Sequence, residues 1–195
     1  MKKLIIPAIA LILIILLASC FLFSNEKQIT NQNEINLIVQ ESNLDTIINL
    51  DNFSKENYSE EKLLDVAMQY ATKLNLLTET DANNTYLQYI SKDDLHNLIY
   101  ELTGLNTVAP IEIEDFYYLY DSENEYYYWI GFSPAYYKLT KINSITRNGN
   151  FYTINCTAEK SEDGEVVQKS NILVKLQYKK ESQLIKYQII DIKFN

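Results

Sequence analysis

The strongest constraint on the fold of this chain is a change of hydrophobic period near Ile111. From there to residue 194, apolar and polar side chains alternate, which is the pattern of β-strands with one buried face. Asn148-Gly149 and Asp163-Gly164 separate such segments, and these pairs favour the tight turns of β-hairpins. The sequence therefore predicts an antiparallel meander of four to six strands between about residues 111 and 194.

The alternation also predicts which side chains share a strand face. Between residues 172 and 178, every second residue is apolar: Ile172, Val174, Leu176 and Tyr178. In the last segment the apolar positions change phase, which predicts a β-bulge near Ile189. Cys156 shares its face with Tyr152 and Ile154, so we expect a small buried thiol rather than a reactive one.

Two helices are predicted ahead of the strands. The first covers about residues 59–77, where Ser59 is followed by two glutamates and then by apolar residues at helical spacing. The second covers about 91–103, with Ser91 and Asp94 placed as a capping box and Gly104 placed as the C-terminal stop. Residues 35–53 are ambiguous and allow a short helix.

This order of elements predicts an α+β fold, with N-terminal helices packed on a curved antiparallel sheet. Over residues 59–194 the order resembles the cystatin-like and NTF2-like cones of secreted bacterial domains. The resemblance implies a fold but no activity, because cones of this kind serve as enzymes, binding domains and inert modules.

The N-terminus has the layout of a secretory signal. Lys2 and Lys3 precede a long apolar run that ends in Leu17-Ala18-Ser19-Cys20. These four residues resemble the lipobox of bacterial lipoproteins. The resemblance implies a signal peptide at 1–19, a lipid on Cys20, and a domain held at the outer face of the cell membrane.

An uncleaved anchor is the alternative, because the apolar run Leu4–Phe23 continues past the cysteine and is about long enough to span a bilayer. Both readings put the rest of the chain on the extracytoplasmic side, since Lys2 and Lys3 stay inside. Residues 20–36 are then a lipidated cysteine and a polar tether, and residues 37–195 form a single domain.

Several chemistries lack the residues they require. The chain has one histidine, His96, and two cysteines, which disfavours zinc sites and histidine-based nucleophilic catalysis. Its four glycines each have a structural explanation, so none is left for a phosphate-binding loop. We therefore predict no catalytic residues, no metal and no cofactor, and carboxylate chemistry is the one enzymatic option left.

The spacing of the acidic residues in the sequence does not identify a catalytic pair. Candidates are numerous: Glu112, Glu114, Asp115, Asp121, Glu123 and Glu125. The last three have the spacing of the start of a calcium loop, but Tyr126 stands where that loop requires glycine. A solvated acidic turn is the better interpretation.

Charge is unevenly distributed along the chain. The net charge of −9 divides into −15 over residues 20–135 and +4 over residues 136–195, with two lysines before them. The overall acidity argues against nucleic acid as a partner. Lys175, Lys179 and Lys186 either meet anionic wall polymer or lipid headgroups, or they solvate a sheet face or protect its edge.

Aromatic residues crowd both sides of the turn Asp121–Glu125. With that turn as the connection, Tyr120 faces Tyr126 and Tyr118 faces Tyr128 on the core side of a hairpin. The other side carries a smaller set: Tyr117, Leu119, Tyr127 and Trp129. Either both sides are buried, or Tyr117, Tyr127 and Trp129 form an exposed platform that binds cell-wall glycan or an envelope protein.

The favoured function is a membrane-anchored extracytoplasmic lipoprotein with a non-enzymatic binding domain at the cell envelope. Its partners would be the membrane, through the lipid on Cys20, and an envelope protein or cell-wall glycan. Two alternatives stay open: a carboxylate-only cell-wall hydrolase, and a structural or assembly subunit without a small ligand.

Overall fold

The computed structural model describes residues 26–81, 86–107, 109–111, 117–130, 137–162, 165–182 and 184–195. The predicted signal peptide and Cys20 lie outside the described residues, as do Asp163-Gly164 and the acidic residues Glu112, Glu114 and Asp115. Among the helices of the described ranges, none is both long and apolar enough to cross a membrane.

Helices and antiparallel strands both occur, so the predicted α+β class is confirmed. The helices are α1 Gln32–Glu41, α2 Leu44–Ile47, α3 Glu60–Lys73 and α4 Lys92–Thr103, with a 3-10 turn at Ile48–Leu50. The strands are β1 Lys27–Gln28, β2 Thr78–Glu79, β3 Gln88–Ser91, β4 Tyr118–Asp121, β5 Tyr126–Trp129, β6 Tyr137–Asn148, β7 Phe151–Glu162, β8 Glu165–Tyr178 and β9 Tyr187–Phe194.

The strands form two sheets instead of one meander. The larger sheet has the order β1-β6-β7-β8-β9, and the smaller has the order β2-β3-β5-β4. The predicted meander is present as β6 to β9, but the aromatic hairpin β4–β5 leaves it and pairs with β3. Because β3 lies ahead of α4 in the chain, this pairing depends on a long-range contact that a local pattern cannot reveal.

Details of the larger sheet follow the sequence closely. Gly149 has φ 60° in the connection between β6 and β7, a conformation that glycine adopts without strain. In the pairing of β8 with β9, Lys175 opposes Asp191 and Leu176 opposes Ile189, so one residue between them is unpaired. The bulge predicted near Ile189 is confirmed.

Both main helices begin where the sequence predicts. The Ser59 side chain accepts a hydrogen bond from the Lys62 N–H at 3.3 Å, and that of Ser91 accepts one from the Asp94 N–H at 3.1 Å. Gly104 ends α4 at φ 70°, as predicted. Helix α3 ends at Lys73, earlier than expected, and Asn75 beyond it has the left-handed φ of 53°.

The N-terminal segment of the described chain differs from the predicted tether. Residues 26–36 contain β1, which pairs with β6, and the start of α1. The Asn31 side chain caps α1 by accepting from the N–H of Asn33 at 2.9 Å. A few apolar side chains hold this mostly polar segment on the domain, because Ile29 is buried and the partly buried Ile35 packs against the core.

The helices contact both sheets. Helix α2 contacts β6, while α4 contacts β9 of the larger sheet and β3 of the smaller. The Tyr118 hydroxyl of β4 donates to the Asp65 carboxylate of α3 at 2.5 Å. Buried side chains from both sheets and the helices belong to one continuous core. Each sheet therefore has an inner face in this core and an outer face turned away from it.

Candidate functional site

The register of the hairpin decides which rings of the smaller sheet point inward. Tyr118 pairs with Trp129, and Tyr120 pairs with Tyr127. The predicted pairs, Tyr120 with Tyr126 and Tyr118 with Tyr128, are therefore wrong by one residue. All rings of one strand change faces when the register shifts by one, because side chains alternate along a strand.

The cause of the shift lies in the acidic turn. Asp121 belongs to β4 and pairs with Tyr126, so the connection is four residues long and not five. The Asp121 carboxylate accepts hydrogen bonds from the N–H groups of Glu123 at 2.9 Å and of Asn124 at 3.2 Å. Glu125 completes the turn with φ 55°, a left-handed conformation. Aspartate favours this kind of local side-chain to backbone bonding.

The inner face holds two of the three rings of the predicted platform. Tyr127 is 1% exposed and Trp129 is 6% exposed. The Tyr127 hydroxyl accepts a hydrogen bond from the Ile111 N–H at 2.7 Å and lies 3.4 Å from Nε2 of His96. Of the two alternatives that the sequence left open, the exposed platform is therefore excluded for Tyr127 and Trp129, and Tyr117 is itself half-buried.

The outer face of the smaller sheet presents a different set of rings. Tyr89, Tyr128 and Leu119 lie side by side on β3, β5 and β4, and Tyr126 lies next along β5 on the same face. We call these four residues the tyrosine face. Ring centroids are 4.9 Å apart for Tyr89 and Tyr126, 5.6 Å for Tyr89 and Tyr128, and 6.4 Å for Tyr126 and Tyr128.

The tyrosine face is accessible from outside. Its three rings are half-buried and contact one another, and Leu119 is 46% exposed. Tyr86 extends the cluster, with its ring centroid 6.2 Å from that of Tyr128. Sequence reasoning missed Tyr89 because the segment before α4 was interpreted only as a helix start, although Ser91 both caps α4 and ends β3.

Charged groups border this face at the turn. Hydrogen bonds from Asn124 lower the pKa of Asp121, so this carboxylate is ionised at neutral pH. Lys92 forms an ion pair with Glu125, and the hydrogen bond to Glu125 raises the pKa of Lys92. Burial, with a smaller effect of the Asp121 charge, raises the pKa of Tyr128, which keeps its hydroxyl protonated.

The remaining candidate groups offer little chemistry in the described part of the chain. No group of three histidine, cysteine, aspartate or glutamate side chains could hold a metal ion among the described residues. Burial lowers the pKa of His96, which favours a neutral imidazole beside Tyr127. Cys156 is buried, as predicted, and burial raises the pKa of its thiol to about 12, far from a reactive thiolate.

A cleft lies between α1 and β6. This cleft of about 470 Å³ has an apolar floor from Ile35, Val39 and Ile142, and amide side chains such as Asn36 and Asn143 at its rim. Its lining contains no charged side chain and no nucleophile beyond hydroxyl groups. The cleft has the composition of a weakly polar groove and not that of a catalytic centre.

Comparison with known proteins gave no relative: no family model, no curated protein and no solved structure matches this chain. The functional proposal below therefore depends on the chemistry of the tyrosine face and on the sequence of the N-terminus.

Proposed function

We propose that this chain is a membrane-anchored extracytoplasmic lipoprotein whose domain binds a partner at the cell envelope, without catalysis, through the tyrosine face. The anchor is supported by the lipobox-like Leu17-Ala18-Ser19-Cys20. The binding role is carried by one observation: three tyrosine rings in mutual contact on the outer face of the smaller sheet, beside the exposed Leu119.

Physical chemistry supports a binding role for such a surface. Tyrosine brings a large apolar area and a polar hydroxyl with few rotatable bonds, so little conformational entropy is lost when a partner covers it. The rings stand on paired strands and contact one another, which holds them ready before the partner arrives. Aromatic residues of this kind are favoured anchors of protein interfaces and stacking surfaces for ligands.

The carboxylate-only hydrolase has less support. Such an enzyme requires two carboxyl groups about 5 to 10 Å apart on either side of a bound sugar. Asp121 accepts hydrogen bonds that close its own turn, and Glu125 is paired with Lys92. A structural or assembly subunit without a small ligand stays the second alternative function. For the detailed architecture of the domain, a cystatin-like or NTF2-like cone stays a proposal.

Photochemical cross-linking on the full chain in its own membrane would test the binding role. A photoreactive amino acid replaces Leu119 in one variant and Val166 in another; Val166 lies on β8 of the larger sheet and is 57% exposed. We expect cross-links to an envelope component from position 119 but not from position 166. An absence of cross-links at 119, or equal yields at both positions, would contradict the proposal.

The anchor has a test of its own. In cells fed radiolabelled palmitate, the full chain should incorporate label, and Cys20→Ser should lose both the label and cleavage before position 20. A chain that carries no label, stays uncleaved and still sediments with membranes would point to the uncleaved anchor. Label retained by Cys20→Ser would show that the lipobox interpretation is wrong.

A further inference from the structure

We infer that the partner of the tyrosine face is a polypeptide segment that carries lysine or arginine side chains. This inference depends on the proposed binding role of that face and adds the chemical class of the partner. Three observations support it: the acidic charge around the face, the ion pair of Lys92 with Glu125, and the distances between the rings.

The region that builds the face is strongly acidic. Residues 78–129 contain eleven acidic residues and one lysine, Lys92. Asp121 lies on the same face as Tyr126, and Glu123 is exposed in the adjoining turn. A surface with this field attracts cationic partners and repels phosphate-bearing or other anionic polymers.

The contacts of Lys92 show how this region binds a positively charged side chain. Its ammonium group pairs with the Glu125 carboxylate, and its backbone N–H donates to the Glu125 carbonyl at 2.8 Å. The charges of Glu125, Tyr120 and Asp93 add to that hydrogen bond in raising the pKa of Lys92. Lys92 is therefore neutralised internally, while Asp121 and Glu123 have no basic partner among the described residues.

The rings supply the second half of the recognition. A lysine or arginine side chain is attracted to the face of a tyrosine ring when it lies within about 6 Å of the ring centre. Alternate side chains of an extended peptide are about 6.6 Å apart. The Tyr126 and Tyr128 centroids are 6.4 Å apart, so an extended segment can place one alternate side chain over each ring. A neutral sugar could stack on the rings and donate hydroxyl hydrogen bonds to the carboxylates, but it would lack the charge attraction that a lysine or arginine side chain gains.

The experiment uses the full chain in uncharged detergent micelles and a fluorescein-labelled oligolysine peptide as the probe. A matched peptide with glutamine in place of lysine and a neutral cell-wall oligosaccharide are the comparison probes. Fluorescence anisotropy should show saturable binding of the lysine peptide, weaker binding of the glutamine peptide, and loss of affinity as salt is raised.

Charge changes at Leu119 locate the binding to the tyrosine face. Leu119→Lys should lower the affinity for the lysine peptide about tenfold, and Leu119→Glu should raise it, because both change the local charge directly beside Tyr128. Val166→Lys and Val166→Glu on the larger sheet are the matched controls and should leave the affinity unchanged. An unfolded variant would not produce opposite effects from the two signs of charge.

The outcomes separate the inference from the proposed function. Equal affinity for the lysine and glutamine peptides, or effects at 166 as large as those at 119, would overturn the cationic partner. If position 119 cross-links in the membrane but the face binds the neutral oligosaccharide and ignores the lysine peptide, the inference fails and the binding role stands. If position 119 gives no cross-link at all, both fail.

Discussion

The two sheets bury their inner faces in one core, yet their outer faces differ in kind. Across the smaller sheet, Leu119, Tyr128 and Tyr89 lie in one row. A comparable row of the larger sheet contains Thr153, Lys175 and Asp191. The first row is aromatic and apolar, and the second is polar, with a charge that is neutralised within the sheet.

This difference shows that outward-facing tyrosines are not imposed by the general composition of the chain. In the middle of the larger sheet the outward side chains are mainly threonine, asparagine and lysine, while exposed apolar side chains such as Phe151 and Val166 lie near the ends of its strands. Lys175 and Lys193 each place Nζ 3.4 Å from an Asp191 carboxylate oxygen, and Lys186 donates to the Ser182 carbonyl at 2.8 Å. These contacts favour a solvating role for the lysines of the larger sheet over a site for anionic polymer.

The largest expected effect is a difference in stability loss between substitutions on the inner and outer faces of β5. Tyr127→Ala should lower the free energy of unfolding by about 3–5 kcal/mol, because it empties a fully buried site. Tyr128→Ala should cost only about 1 kcal/mol, because it removes contacts on an outer face. Urea unfolding of the full chain, followed by circular dichroism, measures both. Equal losses would mean that the inner and outer faces are not distinct.

Removing single tyrosine hydroxyl groups from the inner and outer faces should give a smaller difference in stability. Tyr118→Phe should cost about 1.5–3 kcal/mol, because it removes the hydroxyl that donates to the nearly buried Asp65 carboxylate. Tyr126→Phe on the tyrosine face should change stability by no more than about 0.5 kcal/mol. The urea midpoints of the two variants give the difference. A loss for Tyr126→Phe as large as that for Tyr118→Phe would place Tyr126 in a buried polar network instead.

The inner face of the larger sheet makes a pH-dependent contribution through Cys156. Burial raises the pKa of its thiol from 9.0 to about 12 in the folded chain. Above about pH 9 the unfolded chain loses this proton and the folded chain keeps it, so stability should fall by about 1.4 kcal/mol per pH unit until about pH 12. Tyr70 and Tyr187, whose pKa values burial also raises, add a slope of the same sign above about pH 10 and keep it in Cys156→Ala. In urea unfolding at a series of pH values, Cys156→Ala should therefore lose only the part of the slope that Cys156 contributes, and parallel curves for both proteins would contradict the assignment.

Features with a local physical cause were predictable from sequence. Ser59 and Ser91 begin helices because their side chains satisfy N–H groups within the same turn. Gly104 ends α4 because it adopts a left-handed backbone without strain. The bulge near Ile189 was visible because a change of phase in the apolar pattern is itself the trace of an extra residue.

Features that depend on distant contacts were not predictable. The pairing of β3 with β5 joins segments separated by α4, and nothing in either segment specifies the other. The segment from Glu26 to Asn36 was interpreted as a tether because it is mostly polar, yet Ile29 and the edge of β6 hold part of it in place. A few apolar contacts can therefore hold a segment on the domain even when its overall composition is polar.

By itself, the sequence determined that the chain combines helices with antiparallel strands, where the two main helices begin, how the strands of the larger sheet alternate, and which residue types are available for chemistry. Only the tertiary structure decided which tyrosines face outward. That outcome turned on one residue, Asp121, which joins β4 and shortens the turn. A shift of one residue moves every ring of one strand to the opposite face, so a correct aromatic pattern was compatible with two surfaces of different composition.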